Sequence, residues 1–162
     1  MNASTATALI REAGHGEKRW FYGGGTHTWK ATAEETGGAF SLFEDRMSEG
    51  KVTPLHCHPD TDELVYVLEG EILVRIGDRE ERVGAGGVTM SPRGVPHAFM
   101  VTSEVARLLA FQTPGSSAAF YWNASEPATA DTEGPVDIGR VQEWAKKTGA
   151  TEILGPPPFA PK

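Results

Sequence analysis

The 162-residue sequence predicts an all-β barrel or sandwich, and three observations carry that prediction. Between about Thr26 and Gln112, short runs rich in β-branched and aromatic residues are punctuated by Gly, Pro and Asp, the pattern of an all-β domain. Helix signals are missing from the same stretch. Glu71 to Ile76 and Arg79 to Val83 flank Gly77-Asp78, a two-residue Gly-X loop that suits a tight hairpin. The length supports one hydrophobic core rather than two, hence one domain with one site.

The elements follow in order. Residues 1–25 read as an N-terminal arm whose Trp20, Phe21 and Tyr22 are costly to leave in water, so it is expected to pack on the barrel or on a second subunit. Residues 26–125 form the barrel, with strands expected at Thr26 to Thr32, Ala39 to Arg46, Glu63 to Leu68, the hairpin, Val88 to Met90, His97 to Thr102 and Val105 to Gln112. In the hairpin, alternation places Ile72, Val74 and Ile76 on one face. Ala118 to Ser125 suits either a short helix or a last strand. Residues 126–162 comprise a polar linker reaching Pro135, a helix and a Pro-rich tail. The helix is predicted over Ile138 to Lys147, capped by Asp137, stopped by Gly149 and docked by Trp144. The tail from Ile153 to Pro161, with three consecutive prolines, is expected to lie extended along the surface.

Composition excludes several functions. A net charge of -7 without a Lys/Arg cluster gives no footprint for nucleic acid or an anionic membrane. Met1 to Ile10 lacks a basic start followed by an apolar run, and no span of about 18 apolar residues follows. The single cysteine, Cys57, cannot form an internal disulfide. A soluble, cytoplasmic protein is the expectation. Gly23 to Gly25 serve as a hinge rather than a phosphate loop, because neither a strand-to-helix transition nor Lys-Ser/Thr follows.

The chemistry concentrates in one constellation. His56 and His58 stand two apart, so on an extended backbone both imidazoles face one point, as two ligands of one metal must. Cys57 then faces away and reads as ordinary packing. Pro59-Asp60-Thr61-Asp62 can reverse the chain and return Glu63 toward the same point. Pro92-Arg93-Gly94 supplies a turn before a strand opening at His97, which brings a third imidazole. Val101, four residues on, shares the His97 face with Phe99 and suggests an apolar cavity wall. Tyr66, Phe43 and Phe111 suit either a substrate pocket or plain core. His15 and His27 lie outside the constellation and read as a loop residue and a strand residue.

The spacing Gly50-x5-His56-x-His58-x4-Glu63-x6-Gly70, followed by Gly86-x5-Pro92-x-Gly94-x2-His97, resembles the two motifs of the cupins. Val101 departs from it, standing where the second motif commonly has Asn. Together with Thr53 to Tyr66, the segment around Ala118 to Trp122 and the Ile153-Leu-Gly-Pro-Pro-Pro tail, the pattern is most similar to single-barrel cupins of the quercetin-dioxygenase-like kind. The resemblance implies a double-stranded, jelly-roll type β-barrel and a homodimer built on barrel edges and swapped N-terminal strands. It also implies one divalent transition metal on His56, His58, Glu63 and His97, with Glu63 serving as ligand and as base in oxygen-dependent ring cleavage of a flavonol.

Nitrogen and carboxylate donors without thiolate suit Fe, Mn, Ni, Co, Cu or Zn alike. Three functions follow as alternatives. The first is a dioxygenase acting with O2 on an enolisable or phenolic small molecule, its pocket formed by Phe99, Val101, Phe111 and Tyr66. The second is an oxygen-independent isomerase, lyase or decarboxylase, with Glu63 as catalytic base. The third is a non-catalytic cupin that binds a small molecule.

Overall fold

The computed structural model describes residues 5–129 and 132–159. Two antiparallel sheets face each other. The larger holds β11 (Ser125–Pro127), β1 (Lys18–Phe21), β2 (Thr26–Ala31), β3 (Ser41–Ser48), β10 (Val105–Thr113), β5 (Asp62–Glu69) and β8 (Val88–Ser91), in that spatial order. The smaller runs β12 (Glu152–Gly155), β4 (Leu55–Cys57), β9 (His97–Val101), β6 (Glu71–Ile76) and β7 (Arg79–Gly84). This is the expected double-stranded barrel.

Period-two burial builds its interior. On β10, Ala106, Leu108, Ala110 and Gln112 point inward; on β3, Ser41, Phe43, Asp45 and Met47 do; on β5, Val65 and Val67 do. Two apolar clusters result. Met47, Val65, Val67, Ile72, Val101, Ala106 and Leu108 close one end of the barrel. Phe21, Trp29, Phe43, Phe120 and Tyr121 form the other with Val141 and Ala145. The hairpin turns at Gly77, whose φ of 57° is what a Gly-X loop requires.

Several expectations about the flanks need correcting. The segment read as an N-terminal arm contributes β1, which pairs with both β2 and β11, so Trp20 and Phe21 are buried in the sheet rather than laid upon it. Ala118 to Ser125 resolves into α1 (Ala118–Asn123) and then the start of β11, so part of the presumed linker is a strand. The C-terminal helix, α2 (Ile138–Thr148), is capped as read: Asp137 accepts from the Arg140 amide and Gly149 adopts φ 65°. It docks by Val141 and Ala145, one turn apart, and the half-buried Trp144 packs against the same cluster as expected, with the Lys147 ammonium over its ring. The tail does not merely follow the surface, since Glu152–Gly155 extends the smaller sheet as β12 beside β4. Residues 130–131 of the linker and 160–162 of the tail lie outside the described residues. Among the described residues no helix is long and apolar enough to cross a membrane.

Gly70 ends the first motif at φ 78°, and a Cβ there would lie 2.1 Å from the Val105 carbonyl oxygen and 3.0 Å from Ala106 Cα. Both neighbours are backbone and cannot step aside. Gly70→Ala should therefore lower stability by about 2–4 kcal/mol through left-handed strain plus the clash, read as a reduced urea midpoint with an unchanged slope.

Candidate metal centre

The site begins with a cross-strand pair. β4 and β9 pair at His56 and His97, which places the two imidazoles side by side with centroids 4.3 Å apart. His58 lies just beyond β4, its ring centroid 5.3 Å from that of His56 and 5.2 Å from that of His97. The Gly94 amide donates to the His58 carbonyl at 2.8 Å, tying the turn before His97 to the segment carrying the other two histidines. Outside, Asp62 accepts from the Arg93 amide at 2.8 Å and from its guanidinium at 2.7 Å, clamping the same two turns. All three histidines are buried, and their candidate ligand nitrogens lie within 4.8 Å of one another.

Each imidazole is held by its Nδ1. That atom lies 2.8 Å from the Pro54 carbonyl in His56 and 2.9 Å from the Val95 carbonyl in His97. In His58 it lies 3.2 Å from the Ala150 carbonyl and 3.1 Å from Thr151 Oγ1. A proton on Nδ1, donated to a carbonyl, leaves the Nε2 lone pair of a neutral ring free, which is how metal-binding histidines are oriented. Nε2 of His97 is buried without any hydrogen-bond partner. Such an orphan costs free energy unless a ligand satisfies it.

Glu63 approaches the group from β5, on the inward parity of Val65 and Val67. Its Oε2 is 3.3 Å from His58 Nε2 and its Oε1 is 3.4 Å from His97 Nε2. Donors about 2.1 Å from one ion stand about 3.0–3.4 Å apart in octahedral or tetrahedral arrangements, which matches these two separations; the ligand atoms that cluster within 4.8 Å of one another are those of His56, His58 and His97. The clustered donor set, three imidazoles, suits a transition metal and does not choose among them.

The electrostatics of the cluster are set by burial and by Glu63. Burial, joined by the neighbouring His97 and His58, pushes His56 down to about 3, so it stays neutral. Burial would raise the Glu63 carboxyl, but the His58 and His97 imidazoles outweigh it and hold the group well below the usual carboxylate range. Burial would likewise lower His97, yet Glu63 outweighs it and raises that ring.

Three residues at this centre escape a motif-based reading. Gln112 Nε2 donates to Glu63 Oε2 at 2.7 Å, and Ser117 Oγ donates to Gln112 Oε1 at 2.6 Å. Tyr121, on α1, places its hydroxyl 3.3 Å from Glu63 Oε2 and 3.4 Å from His58 Nε2. Burial, then the Glu63 charge, pushes this phenol well above its ordinary value, so it remains a donor. Gln112 did leave a signal, being a polar side chain on the inward parity of an otherwise apolar strand. Tyr121 left none.

Beside His56 lies a predominantly apolar cavity of about 70 Å³, lined by His56, Glu63, Phe99, Phe43, Tyr121 and Val141 among others. Of the four residues expected to form a substrate pocket, Phe99 lines this cavity. Val101 shares the His97 face as expected but is packed within the cluster that closes the barrel's other end. Tyr66 and Phe111 fall on the outward parity of β5 and β10: Tyr66 is 41% exposed, and Phe111 packs on Phe40 with centroids 5.2 Å apart. Cys57 faces away from the cluster and is buried beside Glu152 of β12, which with burial raises the thiol and keeps it inert.

The family model described as "Cupin domain" matches residues 43–111. Among curated proteins, quercetin 2,3-dioxygenase of Bacillus subtilis (strain 168) is 30% identical over 113 residues, 70% of this chain and 33% of that protein. The chain thus spans about a third of that relative's length. Among solved structures, KdgF from a Halomonas species superposes with a TM-score of 0.60 at 16% identity, covering 67% of this chain and 94% of its own. The polyketide cyclase RemF from Streptomyces resistomycificus gives 0.56 at 28% identity, covering 65% and 80%.

Proposed function

The chain belongs to the cupin superfamily, and from that premise we propose that it is a metal-dependent dioxygenase acting on a small enolisable or phenolic molecule. One observation carries the reading. A carboxylate fixed by Gln112 and Tyr121 stands beside His58 and His97 and faces an apolar cavity. A divalent transition metal on His56, His58, His97 and Glu63 would supply Lewis acidity and, if redox-active, an electron path between substrate and O2.

The chain's own residues supply the rest. Glu63 takes the proton of the substrate's enol or phenol hydroxyl as general base. Tyr121 and Gln112 donate to Oε2, which steadies the carboxylate and leaves Oε1 as the freer oxygen. Phe99, Phe43 and Val65 keep water from the reacting oxygen. The cavity volume sets the substrate's size. About 70 Å³ is roughly half of a void known to take benzene, ~150 Å³, so the enclosed part of the cavity takes only the reacting end of a molecule that extends through its open mouth, and the proposed substrate is small rather than a three-ring flavonol.

A second reading rests on the likeness to the polyketide cyclase. With the same base, an enolised substrate can be isomerised, cyclised or cleaved without oxygen. Oxygen uptake by protein reconstituted in turn with Fe, Mn, Ni, Co, Cu and Zn, against single-ring phenols, 1,3-diketones and flavonols, separates the two. The dioxygenase reading expects one O2 consumed per substrate, both oxygen atoms in product and no added reductant. Substrate loss without uptake selects the oxygen-independent reading, and binding without turnover sinks both.

A further inference from the structure

The cavity has a second polar group that the metal centre does not use. His27 of β2, Asp45 of β3 and Lys51 all line it. His27 is 1% exposed, yet its Nδ1 has no hydrogen-bond partner, and its Nε2 stands 3.5 Å from Asp45 Oδ2, beyond good hydrogen-bond length. Asp45 Oδ1 is also buried without a partner. The Lys51 ammonium donates to the Gly23 carbonyl and lies over the Phe21 ring, 5.3 Å from its centroid, with further N–H groups to give. Burial pushes this amine down to about 8, with Asp45 opposing.

Buried polar atoms are nearly always satisfied, and buried charges are paired. A histidine with neither nitrogen well bonded, beside a carboxylate with a free oxygen and a buried amine, is costly to stability and has no packing reason to persist. Phenylalanine would suit the same slot, since the His27 ring already stacks on Phe21 at 4.9 Å and on Phe43 at 4.5 Å. The group is also separate from the metal centre. Tyr121 stands next to both, its ring centroid 5.7 Å from that of His27 and 6.1 Å from that of His58.

We propose that His27 and Lys51, positioned by Asp45, form an anion-binding pole of the cavity, and that the ligand it takes is a small enolic or phenolic carboxylic acid. The carboxylate accepts from the Lys51 ammonium and a His27 N–H, while the enol or phenol oxygen lies toward Glu63 and the three clustered histidines. Asp45 keeps the imidazole and the ammonium facing the cavity. The apolar stretch between the poles, from Phe43 to Tyr121, takes the carbon skeleton. This rests on the preceding reading for the enol end only; the acid end stands without any metal.

The two claims can be tested apart. Metal-free protein is titrated with crotonate and with crotonamide, a planar acid and its neutral isostere, by calorimetry and by imidazole 15N resonances. Crotonate should bind at least about tenfold more tightly and shift the His27 resonances. Lys51→Met and His27→Phe should each erase the preference without loss of folding, and His27→Phe should melt no lower than the parent because it removes unsatisfied buried nitrogens. Should Lys51→Met unfold, His27→Phe and the parent's preference still decide. Equal binding of acid and amide, absence of crotonate binding, or a preference that survives both substitutions overturns the anion pole. Metal content of the two variants, expected to equal the parent's, is a separate readout: failure of the parent to load metal counts against the dioxygenase reading and leaves the acid preference to be judged by itself.

Discussion

Glu63→Gln is expected to cut turnover of any substrate found by a factor of about 10²–10⁴, the range general-base catalysis supplies, with the substrate's affinity little changed. The reason lies in how the carboxylate is held. Gln112 and Tyr121 both donate to Oε2, so the new amide will turn its carbonyl toward them and its NH2 toward His97. That NH2 cannot take a proton, and among the described residues the only other acid in the cavity lining, Asp45, belongs to the His27 group. Metal affinity should fall only modestly, because the three imidazoles persist, so rates are compared at saturating metal. Full activity of Glu63→Gln would remove Glu63 from the chemistry.

His58→Ala has the second large effect, on metal affinity rather than rate. Its imidazole is one of three, and its orientation depends on the Ala150 carbonyl and Thr151 Oγ1. Affinity should drop by more than the ~10–100-fold that loss of an outer partner alone brings. Thr151→Val, which removes such a partner, should show the smaller loss. The barrel should survive, because the β4–β9 pairing runs through His56 and His97 rather than His58. A stability loss of about 1–3 kcal/mol is expected from the acceptors left unpaired, seen as a lower melting temperature with the circular dichroism of the native sheet retained.

These expectations show which parts of the site could be read from sequence. Parity brought His56 and His58 to one face, and the turn at Pro59 to Asp62 returned Glu63 to it, because both depend on local geometry. The long-range partners were hidden. β4 is three residues long and gains its second neighbour from β12, about a hundred residues away. The Glu152-Ile-Leu-Gly run, followed by prolines, has the composition of a tail, and only pairing makes it a strand that delivers Ala150 and Thr151 to His58.

His27 and Asp45 show the opposite failure. Each lies on an inward face that alternation makes plain, His27 with Trp29 and Ala31, Asp45 with Ser41, Phe43 and Met47. A polar residue at a buried parity position is the signal that marks both. For the aromatic residues the same rule works in reverse. Tyr66 sits between inward Val65 and Val67, and Phe111 between inward Ala110 and Gln112. Their strand neighbours, not their aromatic character, decide that neither reaches the cavity.

Everything proposed at the cavity's histidine end depends on those rings holding an ion. The direct measurement is metal stoichiometry, by elemental analysis, of the purified protein before and after reconstitution with each first-row divalent ion. One ion per chain is expected for the parent, and a marked deficit for His58→Ala under identical washing. A parent that retains no metal in any reconstitution, or a His58→Ala protein that retains a full equivalent, would contradict that expectation.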